Sequence, residues 1–546
     1  MRKITAILLS LMLLVLAGCK NSGDSDKNAT GSKKPTTVSQ SDSSDDETND
    51  TSDASDSSAG SFYYDTDGEL SGSITASRLR NDINDVVKES SYNNYMKGKG
   101  GAENEADAIR QKILSLPDTN SSSGTKYYFS PGGNDDNNGL SPKQPFRTLN
   151  VLQNLELKPG DVLLLERGSV FRIDSTVRLT DGVSMGAYGS GSKPEIRGSV
   201  QNYAGKNLWK PTEYKNIWSI DYSRADAGVM VFDNGEKYGR KRFYLQQLEK
   251  NCDFVHMNGV LYLYCTYNPN NYKSIEIGSN MTMITVATGS KNVSISNLCL
   301  KYTGGHAIQT AGSVKNICVT GCEIGWIGGS LQGVDLTQLY GNAIEFWDAS
   351  EDIVAKNNWI YQVYDAGITF QGPGPFRNIK FSENLIEYTT MSFEYWSTQH
   401  ARDITGISID NNIVRFSGYG WGAVRIDNGR TAHINVGHTP TDYKNLEVTI
   451  KNNIFDCSYQ TIFRVPWITY KPDSQRYTIT GNTYYQRSRT GVNNLGFGNE
   501  ELDKIAFVYG VPGSATSPSY AENQQQLEAA VRAVDTAPAK ICWIDK

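Results

Sequence analysis

One phrase recurs through the second half of the chain: a polar residue followed by a short, mostly apolar run. It begins at Cys322 and then at Asn358, Asn384, Asn412, Asn453 and Asn482. Successive copies are 36, 26, 28, 41 and 29 residues apart. A basic coil of roughly two dozen residues, lengthened by loop insertions, produces such a series. The repeat therefore predicts a solenoid of stacked coils, which also suits a chain of 546 residues better than one closed core does.

The repeated asparagines predict a ladder of stacked side chains. Asparagine tolerates the left-handed backbone conformation found in turns. Its amide can also hydrogen-bond the same side chain one coil away, as amide ladders do in stacked sheets. We therefore expect these asparagines to line up at a turn and to have a structural rather than a catalytic role.

A second column of repeats follows the first, with the form small, apolar, polar. Its members begin at Ala307, Ala343, Gly367, Ser392 and Ala423. Strand side chains alternate between two faces, so an inward apolar residue places the next residue, and the residue two further on, outside. The outward pairs predicted in this way are Glu345 with Trp347, Thr369 with Gln371, Glu394 with Trp396, and Arg425 with Asp427.

The segments YYFSPGGNDDNNGLSPKQPFRTL and GDVLLLERGSVF precede the NN-I and N-LI phrases of the central coils. Together they resemble the carbohydrate-active members of the pectin-lyase-like right-handed parallel β-helix superfamily, over roughly residues 126–490. The resemblance implies an all-β solenoid and a polysaccharide or oligosaccharide partner. It leaves the reaction open, because the superfamily includes hydrolases, lyases, epimerases and adhesins.

The N-terminus resembles that of a bacterial lipoprotein. Arg2 and Lys3 precede an apolar stretch, and the LAGC sequence that ends at Cys19 is similar to a lipobox. In that family the signal is cleaved before the cysteine, which carries the lipid. The resemblance implies a secreted protein, lipid-anchored to the outer face of a bacterial membrane. An ordinary signal peptide with an incidental cysteine is the alternative.

Changes in composition divide the chain. Serine, aspartate, threonine and asparagine dominate the stretch after Cys19, which cannot bury an apolar core and is expected to be disordered. Hairpin-like β segments interrupt the coil pattern and predict an inserted subdomain. The predicted segments are a signal peptide (1–18), a Ser/Asp-rich tether (19–60), a partly helical extension (61–123), the β-helix (124–515) with its inserted β subdomain (200–277), and a C-terminal helix and tail (516–546).

The net charge of −6 does not indicate a nucleic-acid partner, and part of the acidity lies in the tether. A nearly neutral body suits a neutral or mildly acidic sugar polymer. The cysteines show no metal-binding pattern. Cys252 and Cys265 fit either a disulfide or buried free thiols. We expect a monomer that needs no metal or cofactor.

Paired carboxylates on the predicted outer face suggest the chemistry, because glycoside hydrolysis uses two carboxylates that flank the scissile bond. Coils stacked about 4.8 Å apart put Glu345 and Glu394 roughly 9–10 Å apart, near the separation of an inverting pair. We assign Glu345, among aromatic neighbours, as the general acid and Glu394, beside Arg425, as the base or nucleophile. Asp427 is a further carboxylate on this face, and Asp365, in the turn entering the sheet, is the alternative acid.

Polar and aromatic residues around these carboxylates are predicted to bind the substrate. They are Gln309, Trp347, Gln371, Trp396, Trp421, Arg425, His306 and His438. The tryptophans would stack on sugar rings unless a loop covers them. The alternative for any one outward carboxylate is an ordinary solvated surface.

Three functions fit these features. A surface-anchored glycoside hydrolase is favoured, because the predicted face has carboxylates and tryptophans but neither lysine nor a tight aspartate cluster for Ca²⁺. A polysaccharide lyase acting on a uronate-containing polymer is the second, and only that reaction would call for Ca²⁺. A non-catalytic, carbohydrate-binding or adhesive β-helix is the third.

Overall fold

The computed structural model describes residues 100–118, 124–333, 335–396, 403–424, 431–436, 445–459, 461–464, 477–487, 507–508, 521 and 523–544. The predicted signal peptide, tether and Cys19 lie outside these ranges. The α-helices within them are α1 (Glu103–Leu114) and α2 (Gln524–Arg532). Among the described residues, no helix combines the length and hydropathy needed to cross a membrane.

Short apolar runs between glycine turns form the first strands. The run VLLLE, for example, lies between Gly160 and Gly168, which have φ angles of 96° and 78° that favour glycine. The strands of this part are β1 (Lys126–Phe129), β2 (Val162–Glu166), β3 (Val170–Arg172), β4 (Val177–Leu179), β5 (Ser184–Tyr188) and β6 (Glu195–Arg197).

An inserted β subdomain follows, as the sequence predicts. Its strands are β7 (Lys210–Pro211), β8 (Ile217–Asp221), β9 (Ala227–Phe232), β10 (Lys237–Tyr238), β11 (Arg240–Lys241), β12 (Asp253–Met257), β13 (Val260–Tyr264) and β14 (Ile275–Ser279). They form a five-stranded sheet, β11-β12-β13-β8-β7, and a three-stranded sheet, β10-β9-β14. Asn258 and Gly259, with φ of 52° and 74°, make the tight turn that joins β12 to β13.

A buried carboxylate ties the subdomain to the first coils. Glu276 of β14 is 1% exposed and accepts two hydrogen bonds of 2.8 Å from Arg172. Arg197 donates a third, at 2.6 Å. Cys252 and Cys265 lie inside this subdomain as free thiols, so the disulfide alternative is wrong. Burial raises the pKa of the Cys252 thiol to about 12.

The chain then returns to the coil pattern. The remaining strands are β15 (Ile284–Val286), β16 (Lys291–Ser296), β17 (Cys299–Thr303), β18 (Ile308–Thr310), β19 (Val314–Thr320), β20 (Glu323–Ile327), β21 (Ser330–Gln332), β22 (Asp335–Tyr340), β23 (Ile344–Trp347), β24 (Ser350–Lys356), β25 (Trp359–Gln371), β26 (Phe376–Ser382), β27 (Leu385–Trp396), β28 (Asp403–Asp410), β29 (Ile413–Arg415), β30 (Ala432–Val436), β31 (Asn445–Lys451), β32 (Ile454–Asp456), β33 (Thr461–Arg464), β34 (Tyr477–Thr480), β35 (Thr483–Arg487), β36 (Phe507–Val508) and β37 (Lys540–Ile544).

Strand pairing arranges the coils as a prism with three parallel sheets. Sheet 1 has the order β1-β2-β5-β16-β19-β24-β26-β28-β31-β34. Sheet 2 runs β4-β15-β18-β23-β25-β27-β30-β33-β36. Sheet 3 runs β3-β6-β17-β20-β25-β27-β29-β32-β35-β37. Because β25 and β27 bend at a corner, each contributes its first half to sheet 3 and its second half to sheet 2.

Each central coil passes from sheet 1 to sheet 3, then to sheet 2 and back to sheet 1. Apolar residues of all three sheets meet inside, including Ile353 of sheet 1, Ile360 of sheet 3 and Ile368 of sheet 2. This is the right-handed parallel β-helix that the sequence predicts, with the handedness that crossovers between parallel strands follow. Sheet 2 is the face that carries the predicted site.

The asparagine ladder is present at the turn between sheets 1 and 3. The Asn358 amide donates to Asn384 Oδ1 at 3.0 Å and to the Val319 carbonyl at 3.0 Å. The backbone N–H of Asn358 also donates to Asn384 Oδ1, at 3.0 Å. Asn384, Asn412 and Asn453 repeat these bonds with the next coil. These residues are 0–1% exposed, so the ladder is structural, as expected.

One detail of the ladder differs from the expectation. The left-handed residue is the one before each ladder position: Asn357, Glu383, Asn411 and Asn452 have φ between 53° and 57°. The ladder asparagine is therefore free to point inward. The last rung, Asn482, donates to the carboxylate of Asp535 at 2.9 Å. That residue follows α2 and closes the C-terminal end of the ladder.

Helix α1 lies against sheet 3 through a buried charge network. Arg110 of α1 donates to both oxygens of Glu387, at 2.9 and 3.1 Å. Glu387 also accepts from Arg415, which in turn donates to Asp456 at 2.9 Å. The neighbouring acids raise the pKa of Arg415 against the opposing effect of burial. Helix α1, the described helix of the predicted extension, thus packs on the β-helix on a face other than sheet 2.

Candidate active site

A cleft of about 830 Å³ runs along the outside of sheet 2. This volume lies within the range of small-molecule sites. The sheet 2 strands from β18 to β33 (β18, β23, β25, β27, β30 and β33) form its floor. The antiparallel hairpin β21–β22 forms a side wall through Gln332, Gln338 and Tyr340. The predicted residues Gln309, Glu345, Trp347, Asp365, Gln371, Glu394, Trp396 and His306 all line this cleft.

Strand register aligns the acidic residues in one column. Gln309 pairs with Glu345, Glu345 with Thr369, and Thr369 with Glu394. Trp347, Gln371 and Trp396 form the parallel column two residues on. Both tryptophans are partly exposed at the cleft, while Glu345 and Glu394 are 3% and 6% exposed. The predicted register of these four coils is confirmed.

Beyond Glu394 the predicted register is wrong. The strand that continues the column is β30, so Glu394 pairs with Asn435 and not with Arg425. Arg425 and Asp427 lie outside the described residues, as does His438. Arg464, the partner of Asn435 on β33, brings the cation that was expected from Arg425.

Close backbone packing explains the wrong register. Residues Trp421–Val424 form a short 3₁₀ turn where the triplet pattern predicts a strand. A Cβ on Gly420 would lie 2.0 Å from the Tyr388 carbonyl oxygen, and one on Gly422 would lie 2.8 Å from that of Tyr364. The glycines therefore let this turn pack directly on the preceding coils.

Trp421 is buried by the same turn. It is 2% exposed, its ring centroid is 5.0 Å from that of Tyr364, and its Nε1 donates to the Gln362 carbonyl at 2.8 Å. The prediction that Trp421 stacks on a sugar is wrong, because its ring is part of an interior cluster.

Glu345 is held by two side-chain amides. Gln309 Nε2 donates to Oε1 at 2.8 Å, and Asn342 Nδ2 donates to Oε2 at 2.6 Å. Asn342 cannot be turned around, because its Oδ1 accepts from the backbone N–H of Ala366 at 2.8 Å. These bonds fix the carboxylate in the cleft, and the Asn342 bond also links it to the backbone next to Asp365.

His306 lies beside Glu345 in the cleft, with its Nδ1 3.5 Å from Glu345 Oε2. The backbone N–H of Asn342 donates to the same Nδ1 at 3.1 Å and so orients the imidazole ring.

Glu394, two coils further along the cleft, is held in a similar way. Asn435 Nδ2 donates to its Oε1 at 2.7 Å, and Gln371 Nε2 donates to its Oε2 at 3.2 Å. Arg464 fixes the orientation of Asn435 by donating to its Oδ1 at 2.7 Å. A cation thus stands one residue away from Glu394, connected to it through an oriented amide.

Glu345 and Glu394 are two coil steps apart, which is about 9–10 Å between backbones. Thr369, between them in the column, is fully buried. Two carboxylates at this spacing can flank a sugar linkage and leave room for a water molecule. Asp365 lines the same cleft and provides a third carboxylate.

Sequence reasoning missed Asn342, Asn435, Arg464 and Tyr340, which also line the cleft. A signal for Asn435 was present, since His433-Ile434-Asn435 ends in the same apolar–polar pair as the other triplets. Asn342 directly precedes the triplet that contains Glu345. Within the described part of the chain, no group of three or more His, Cys, Asp or Glu side chains could hold a metal ion.

Comparison with known proteins gives similarity to solved structures alone. No family model and no curated protein matches the chain. A complex of XylC with xylose is 12% identical, with 66% of this chain and 68% of that chain covered and a TM-score of 0.41. Pectate lyase Pel9A is 12% identical, with 70% of this chain and 73% of that chain covered and a TM-score of 0.39. A GH136 lacto-N-biosidase from Eubacterium ramulus is 14% identical, with 72% of this chain and 68% of that chain covered and a TM-score of 0.32.

Proposed function

We propose that this protein binds a polysaccharide or oligosaccharide in the sheet 2 cleft and hydrolyses a glycosidic bond with Glu345 and Glu394. The observation that carries the proposal is the column itself. Two carboxylates, each bound by two side-chain amides, stand two coils apart in one cleft beside Trp347 and Trp396. Aromatic faces next to polar groups are suited to sugar rings.

The surroundings of the two acids suggest their roles. Asn435 and Arg464 place positive potential on the side of Glu394, which favours a carboxylate there as the base that activates water. Glu345, on the opposite side of the bond, then protonates the leaving oxygen. This division follows the inverting mechanism, in which the water attacks the face opposite the departing group.

The reaction type is tested by product analysis on a panel of neutral and uronate-containing polysaccharides. A hydrolase produces new reducing ends without an unsaturated product that absorbs in the near ultraviolet. Appearance of that absorbance, with loss of activity in a chelator, would replace the proposal with a polysaccharide lyase. Retention on a glycan gel with neither product would indicate a binding protein and contradict the catalytic assignment.

We also propose that the body is attached to the outer face of a bacterial membrane through a lipid on Cys19, as the lipobox-like sequence indicates. The variant Cys19→Ala should move the protein from the membrane fraction to the soluble fraction after cell lysis. Cys542→Ala is the matched control and should leave the distribution unchanged. A Cys19→Ala protein that has lost its signal but stays with the membrane would contradict the anchor.

A further inference from the structure

A second cleft, of about 950 Å³, lies where the inserted subdomain meets the first coils. Its lining comes from the turn between β3 and β4 (174–176), from residues 221–225 after β8, and from residues 279–281 at the end of β14. None of the residues used in the proposed hydrolysis belongs to it. It therefore needs an explanation of its own.

The two clefts are adjacent. Residues 279–281 line the second cleft, and Thr282, the next residue, lines the first. Along sheet 2, Arg178 of β4 pairs with Thr285, Thr285 with Gln309, and Gln309 with Glu345. The second cleft thus begins about three coil steps, or roughly 14 Å, from Glu345.

The junction between the clefts is rigidly built. Asn280 accepts a hydrogen bond from the Tyr340 hydroxyl and donates to the Leu331 carbonyl at 3.1 Å. Asp226 of the insert accepts from the backbone N–H of Leu331 at 2.7 Å and pairs with the buried Lys241. The insert therefore holds the hairpin wall of the first cleft and borders the second, so the two clefts keep a fixed relation.

The lining of the second cleft matches the chemistry of a neutral polyol. Gln201 and Ser223 supply an amide and a hydroxyl group that both donate and accept. Exposed charges of both signs line the same cleft, from Arg224, Asp174 and Asp221. One cation against two carboxylates does not suit a polyanion, because like charges would repel it.

We propose that the second cleft holds the distal part of the same saccharide, so that the protein acts on a neutral chain that spans both clefts and not on a short oligosaccharide. The inserted subdomain supplies the distal binding subsite. This inference rests on the proposed hydrolysis in the first cleft, and it adds the length and charge class of the substrate.

The test uses the full chain and neutral gluco-, xylo-, manno- and galacto-oligosaccharides of increasing length, with an oligogalacturonate series as the acidic comparison. Arg224→Ala and Gln201→Ala are made in exposed side chains of the second cleft. Lys273→Ala, an exposed cation of the same subdomain that lines neither cleft, is the control. Circular dichroism verifies that each variant is folded.

In the wild type, KM should fall as the neutral chain lengthens enough to enter the second cleft. Arg224→Ala and Gln201→Ala should raise KM for these long chains about tenfold, the loss expected for a hydrogen bond to a charged or polar group. The KM and kcat for the shortest cleaved oligosaccharide should not change, and Lys273→Ala should behave as the wild type.

Three results would overturn the inference. A KM independent of chain length, or an equal loss at every length in the variants, would show that the second cleft holds no part of the chain while hydrolysis stands. Stronger binding of the acidic series would contradict the neutral substrate. Absence of cleavage and binding for every series with folded protein would overturn the proposed hydrolysis itself.

Discussion

Two columns of stacked side chains run along this β-helix, and they differ in composition. At the turn between sheets 1 and 3 asparagine repeats, and the amide of each asparagine donates a hydrogen bond to the Oδ1 of the asparagine in the next coil. Along sheet 2 the column reads glutamine, glutamate, threonine, glutamate, asparagine and arginine. The uniform column holds coils together, whereas the varied column positions two carboxylates in a cleft.

The largest effect expected from this contrast is in catalysis. Glu394→Gln keeps the shape of the side chain but removes its charge, so kcat should fall roughly a thousandfold, as for loss of a general base. The measurement is reducing-end release under saturating substrate. Glu351→Gln, at a partly exposed position of sheet 1, is the matched control and should retain full activity. A folded, fully active Glu394→Gln protein would remove Glu394 from the mechanism.

A substitution in the asparagine column should instead lower the stability of the fold. Asn412→Ala removes the Oδ1 that accepts from the backbone N–H and the amide of Asn384, and the amide that donates to the Phe381 carbonyl, so the free energy of unfolding should decrease by about 1–3 kcal/mol. Urea denaturation followed by circular dichroism measures this change. The folded fraction should keep its kcat. A stable variant with lost activity would show that the ladder also serves the cleft.

The two columns should also differ in their response to pH, because amides do not titrate. Burial lowers the pKa of His433, on strand β30 of the cleft floor, to about 3 from its ordinary value of 6.5. Between these values the unfolded chain binds more protons than the folded one, so stability decreases as the pH falls below 6.5.

The slope from His433 should approach, at most, about 1.4 kcal/mol per pH unit. His433→Gln, which keeps a hydrogen-bonding group near Ser417, should make the unfolding free energy flatter between these pH values. Asn412→Ala should lower stability by the same amount at each pH. An identical slope in the wild type and His433→Gln would contradict the burial of a neutral imidazole.

The smallest expected effect is on recognition. Trp396→Ala removes an aromatic surface beside Glu394, so KM should rise roughly tenfold, or about 1.4 kcal/mol, while kcat changes little. Steady-state kinetics on the best substrate of the panel measures the two constants separately. A decrease in kcat comparable to that of Glu394→Gln would show that Trp396 positions the catalytic carboxylate instead of binding a sugar ring.

The ladder was predictable from sequence because its positions repeat with one residue type and a nearly constant phrase. The sheet 2 column was predictable from Gln309 to Glu394, where each coil has the small–apolar–polar triplet in the paired strand. From Glu394 to Asn435 the separation rises to 41 residues, and the intervening Trp421–Val424 turn imitates the start of a strand. The spacing of the repeated triplets alone could not distinguish that turn from the true strand β30.

Burial around the carboxylates was also beyond sequence reasoning. The hairpin β21–β22, which walls the cleft, is inserted within one coil between β20 and β23. Its position depends on contacts with Asp226 of the distant insert and with Asn280, which directly follows the insert. Asn342 and Arg464 reach the site through side-chain hydrogen bonds and do not follow the triplet pattern. Contacts between insertions leave no periodic signal.

The most direct test of the central claim is a crystal structure of Glu394→Gln with an oligosaccharide that the wild type cleaves. The account predicts a saccharide in the sheet 2 cleft, with its glycosidic oxygen within hydrogen-bonding distance of Glu345 and a sugar ring against Trp347 or Trp396. A saccharide bound elsewhere, with the cleft between Glu345 and position 394 empty, would contradict the assignment of this column as the active site.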